Sequence, residues 1–76
     1  MDGTLRVGMR VTVEDLADGL QESYVLVAPR ESDPFAGRLS NESPVGRALE
    51  GRQAGDAVDV LAPQGTRHLR IVAVGT

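Results

Sequence analysis

The 76-residue sequence has no cysteine, no tryptophan and no lysine, a single histidine, and only two aromatic residues, Tyr24 and Phe35. Without cysteine there are neither disulfides nor thiolate metal sites. One histidine is too few for a protein-made zinc centre, so no metal or other cofactor is expected. No apolar run approaches the roughly 18–20 residues that a membrane-spanning helix needs. The opening Met1-Asp2-Gly3-Thr4-Leu5-Arg6 shows neither the basic start nor the apolar block of a secretory signal. These absences point to a cytoplasmic protein without a membrane partner. Eleven carboxylates against eight arginines leave a net charge of −3. A protein that grips nucleic acid by its phosphates needs a positive face, so nucleic acid is not an expected partner. The absence of lysine beside abundant Arg, Ala, Gly and Val is explained by genomic base composition.

What is present is period-2 alternation. In Met9-Arg10-Val11-Thr12-Val13-Glu14-Asp15-Leu16 apolar and polar residues alternate, as in a half-buried strand. Asp18-Gly19 marks a turn into a second, more apolar strand, Ser23-Tyr24-Val25-Leu26-Val27-Ala28, and the two predict an antiparallel hairpin. Pro29 to Gly37 reads as a loop, and Arg38-Leu39-Ser40 as a short strand. Ala57 to Ala62 alternates again. Pro63-Gln64-Gly65-Thr66 predicts a type II or related turn, with glycine where φ is positive. The closing His68 to Val74 ends almost wholly apolar, like a buried partner strand. In so small a sheet the open edges need protection, a role open to Glu14, Asp59 and Arg70.

Between the hairpins stands Ser40-Asn41-Glu42-Ser43-Pro44-Val45-Gly46-Arg47-Ala48-Leu49-Glu50-Gly51. Ser43 is a preferred N-cap, Pro44 suits the first helical position, and Gly51 suits the left-handed stop. A helix of barely two turns, about residues 44–50, cannot stand alone and must be held by the sheet. Val45, Ala48 and Leu49 fall at i, i+3 and i+4, one face that would pack on the valines. Strands with a helix covering one face make a small α+β domain, an antiparallel sheet packed on one short helix, with residues 1–6 read as a flexible lead-in.

These same motifs resemble the C-terminal domain of the bacterial Gre transcript-cleavage factors, from about Val7 to Val74. The likeness is carried by Val7-Gly8-Met9-Arg10-Val11-Thr12-Val13, by the Ser43-Pro44-Val45-Gly46-Arg47-Ala48-Leu49-Glu50-Gly51 helix, and by the turns at Gly55-Asp56 and Pro63-Gln64-Gly65-Thr66. The resemblance implies an FKBP-like fold that docks on bacterial RNA polymerase at the secondary-channel rim. It also implies that the contact is made by Glu42-Ser43-Pro44, with Asn41, Gly46 and Arg47 beside it. Glycine at 46 would keep the first turn low for a partner's approach. The family's coiled coil, whose tip carboxylates help bind a catalytic magnesium, has no heptad counterpart in these residues. Glu50 stands where the family has an apolar residue, so the last helical turn is expected to be more exposed.

The other polar groups read as structural. Asp15 and Asp18 are turn residues, Asp56 and Asp59 solvated strand carboxylates, and His68 beside Arg67 and Arg70 a solvent-facing position. Phe35 is expected to tuck onto the core, the alternative being display to a partner. No nucleophile–base pair, phosphate loop or metal spacing is visible, so no enzyme and no small-molecule ligand is expected. The alternative is an FKBP-fold prolyl isomerase or peptide-binding module, a chemistry that works in an aromatic-rich apolar pocket.

Overall fold

The computed structural model describes residues 3–75. Five strands and one helix follow the predicted order: β1 (Arg10–Asp15), β2 (Gln21–Val27), β3 (Arg38–Ser40), α1 (Pro44–Leu49), β4 (Ala57–Ala62) and β5 (Gly65–Gly75). They form one sheet in the order β3-β2-β1-β5-β4. The two hairpins, β1–β2 and β4–β5, are therefore joined through the central antiparallel pair β1–β5. The one departure from an antiparallel sheet is β3, which runs parallel to β2 from Val25↔Arg38 to Val27↔Ser40. The reason lies in residues 28–37. Two 3-10 turns, Pro29–Glu31 and Pro34–Ala36, carry the chain back along β2 before β3 begins.

Alternation sorts the side chains as the sequence implies. Val11 and Val13 of β1, Leu26 of β2, Val58 and Val60 of β4, and Leu69 and Ile71 of β5 face the core. Leu49 is completely buried, and Val45 and Ala48 pack beside it. The helix touches both β3 and β4, the two edges of the sheet. A flat sheet could not offer both edges to six residues, so the sheet curls around α1. Of the charges expected to guard the edges, only Asp59 lies on an edge strand, whereas Glu14 and Arg70 sit on the central strands β1 and β5.

Four further details depart from the sequence reading. Leu5, in the lead-in expected to be flexible, is fully buried, and Met1 and Asp2 lie outside the described residues. The last strand is only partly buried: Val72, next to the inward Ile71, faces out at 42 % exposure, and the register slip between Thr12 and Val13 then leaves Ala73 exposed and turns Val74 toward the core. The β4–β5 turn has Pro63 and Gln64 at its centre; Gly65 takes the positive φ read for it, at 131°, but as the first residue of β5, paired with Ala62, and not as a central turn residue. Phe35 does not tuck in at all; it is fully exposed.

Candidate docking corner

The corner begins where β3 ends. Ser40 is buried, and its Oγ accepts a hydrogen bond from the Glu42 N–H at 3.0 Å. Its carbonyl accepts from both the Ser43 N–H (3.1 Å) and the Ser43 hydroxyl (2.6 Å). Ser43 Oγ in turn accepts from the Gly46 N–H at 3.1 Å, the predicted N-cap bond. Asn41 ties the turn to the sheet, its N–H donating to the Val27 carbonyl at 2.9 Å. The helix ends as read: Glu50 N–H donates to the Gly46 carbonyl at 2.9 Å, and Gly51 follows at φ 83°. Glu50 is exposed, as expected of that position.

Ser43→Ala removes both bonds of the hydroxyl and is expected to destabilise the domain by about 1–2 kcal/mol. Urea denaturation followed by circular dichroism measures it.

The structure divides the six candidate residues into two groups. Glu42, Pro44 and Arg47 are exposed, with Pro44 and Arg47 three apart on one helix face. Asn41 and Ser43 are half-buried and hold the turn, and the Asn41 Oδ1 is buried without a hydrogen-bond partner. Gly46 is buried: a Cβ built there would lie 1.9 Å from the Ser40 carbonyl oxygen. The missing side chain lets the helix close on β3. Ser40 is the residue that sequence reasoning overlooked. The signal was its two-residue spacing from Glu42, a serine turn.

The other carboxylates singled out in the sequence make bonds within the domain. Asp15 Oδ1 and Asp18 Oδ1 accept backbone N–H bonds from Ala17 and Leu20 in the β1–β2 turn, and Asp56 Oδ2 accepts from Gln53 N–H. His68 Nδ1 lies 2.7 Å from Asp59 Oδ1 on the exposed face. At the open end of the core, Arg67 reaches Asp15 at 3.4 Å and Glu22 at 3.9 Å. Tyr24 donates its hydroxyl proton to Glu22. Burial pushes the Tyr24 phenol up to about 12, with the Glu22 hydrogen bond and charge adding and Arg67 opposing. No group of three metal-ligating residues occurs among the described residues, and no helix there is long and apolar enough to cross a membrane. With Tyr24 bound to Glu22 and Phe35 in solvent, no aromatic-lined cleft of the isomerase kind forms among the described residues.

Comparison with known proteins decides the lineage. The model of the family described as "Transcription elongation factor, GreA/GreB, C-term" matches residues 1–76. The chain belongs to the GreA/GreB C-terminal family. It is 51 % identical over 70 residues to transcription elongation factor GreA of Thermomicrobium roseum, covering 92 % of this chain and 44 % of that protein. With GreA of Geobacillus kaustophilus the identity is 46 % over 68 residues, covering 90 % and 43 %. This Gre domain therefore spans less than half the length of those curated relatives. Among solved structures, Thermus aquaticus Gfh1 superposes with a TM-score of 0.85 at 32 % identity, over 95 % of this chain and 48 % of that one. A GreA/GreB factor from Nitrosomonas europaea gives 0.81 at 27 % identity, covering 100 % and 64 %. The fold is that of the Gre C-terminal domain, the FKBP-like arrangement expected.

Proposed function

We propose that this Gre domain is a docking module for bacterial RNA polymerase, seated near the rim of the secondary channel in the cytoplasm. The observation that carries the reading is the full-length match to the C-terminal part of a transcription elongation factor family. The corner geometry supplies a means. Glu42, Pro44 and Arg47 stand exposed on a turn that Ser40, Asn41 and Ser43 brace with backbone bonds. A braced corner loses little conformational freedom on binding, so its one carboxylate and one rigid proline meet a partner already in place. The module works by binding and has no catalytic group of its own. Its residues hold no heptad segment, so the reading assigns them docking and leaves stimulation of transcript cleavage to other parts of a Gre factor.

The test is competition between this chain and a full-length Gre factor for purified core polymerase. Displacement is expected. Glu42→Ala should weaken binding by about tenfold or less, as for a single exposed charge at an interface rim. Its melting midpoint should stay at the wild-type value, because no side-chain bond of Glu42 is lost. Wild-type affinity in Glu42→Ala and in folded Ser43→Ala would leave the corner a purely structural device.

A further inference from the structure

At the other end of β3 the chain displays its largest exposed apolar side chain. Phe35 is 105 % exposed relative to an extended reference and so touches nothing in its own domain. Scattered exposed apolar residues need no explanation, and Leu20 or Leu61 are of that kind. Phe35 differs in how its backbone is held. Asp33 and Arg38 exchange backbone bonds at 3.0 and 2.9 Å, closing a small loop with Phe35 at its tip. Inside it Ala36 N–H donates to the Asp33 carbonyl (3.0 Å) and Gly37 N–H to the Pro34 carbonyl (3.1 Å). Gly37 takes φ 76°, and its carbonyl accepts from Val25 N–H at 2.8 Å, which pins the loop to β2. Pro34 fixes the first position of the turn.

A phenylalanine buries on the order of 150–250 Å² when it packs, so a loose loop would fold it onto the core. Here the bracing holds it out. An aromatic on a rigid support is the kind of group that anchors an interface, since little freedom remains to be lost on binding.

The surroundings indicate what it meets. Arg30 and Arg38 line an open recess of about 590 Å³ beside the loop, together with Val27, Glu31, Ser32 and Asp33. Neither arginine has an ion pair among the described residues. The recess leads along β3, whose three residues span about 10 Å, to the Glu42–Pro44 corner. Phe35, the two arginines and the corner thus lie along one edge of the sheet.

We propose that Phe35 is the apolar anchor of the polymerase contact, filling a notch on the polymerase surface rimmed by carboxylates that pair with Arg30 and Arg38. This rests on the docking reading above and extends its footprint along β3.

The test measures binding of the labelled 76-residue chain to purified core polymerase over a range of salt concentrations. Phe35→Ala is expected to weaken binding by about tenfold or more, with an unchanged melting midpoint. Arg30→Glu with Arg38→Glu should weaken it further and flatten its salt dependence. Wild-type affinity in Phe35→Ala, while Glu42→Ala binds more weakly, would overturn the anchor and leave the corner reading standing. No binding by the wild-type chain would overturn both. A lowered melting midpoint in Phe35→Ala, or self-association of the wild type that the variant abolishes, would make the residue structural or a contact between copies, and would also overturn the proposal.

Discussion

Leu5→Ala is expected to destabilise the domain by about 2–5 kcal/mol, the range for truncating a buried leucine. The residue lies outside every strand and helix, yet it is fully buried in the same cluster as Leu49 and Ile71. Its backbone is also held at both groups. Leu5 N–H donates to the Arg52 carbonyl at 2.7 Å, and Gly51 N–H donates to the Leu5 carbonyl at 2.8 Å. The lead-in is thereby stitched to the chain leaving α1, at the end of the helix opposite the docking corner. A domain of this size has a total stability of about 4–11 kcal/mol, so the loss is a large share of it. Urea denaturation should show a sharply lower midpoint with little change in slope. A wild-type midpoint would mean that the segment is as loose as its sequence reads.

Gly46→Ala is expected to cost about 2–3 kcal/mol, near the upper end of the usual range for overpacking. Helix propensity alone predicts the opposite, since alanine is better than glycine inside a helix by about 1 kcal/mol. Sterics win because the new Cβ would stand 1.9 Å from the Ser40 oxygen and 2.9 Å from its carbonyl carbon, both backbone atoms. Ser40 cannot retreat cheaply. Its carbonyl holds the Ser43 hydroxyl at 2.6 Å and the Ser43 N–H at 3.1 Å, so moving it loosens the cap. For a domain this small the melting midpoint should fall by about 10–20 °C. Polymerase binding should weaken as well, because the corner's shape depends on that close approach. An unchanged or raised midpoint would show that the helix can lift from β3 at no cost, and would remove the basis for a braced corner.

Much of the architecture was legible from local chemistry. Ser43, Pro44 and Gly51 marked the helix ends, Asp18-Gly19 marked the first hairpin, and alternation in β1 and β4 assigned the core face. The motif at 43–51 also carried the family resemblance, which the match over residues 1–76 bears out. Each of these signals acts within a few residues, through a cap bond, a dihedral preference or a side-chain period.

Three features acted over longer distances and could not be read that way. Leu5 has no periodic neighbours, and only the closing of the chain against Gly51 and Arg52 buries it. Gly46 read as an opening for a partner, but the constraint on it comes from Ser40, six positions earlier in sequence and brought close by the strand-to-helix corner. Phe35 read as core by composition, yet the Asp33–Arg38 bridge decides its direction.

The amino-acid sequence by itself determined the elements, their order, the inward faces and the capped helix start, because those depend on near neighbours along the chain. Only the tertiary structure decided the parallel pairing of β3, the curl of the sheet around α1, and which groups reach the surface beside the corner. Those depend on which distant segments exclude one another from the same space.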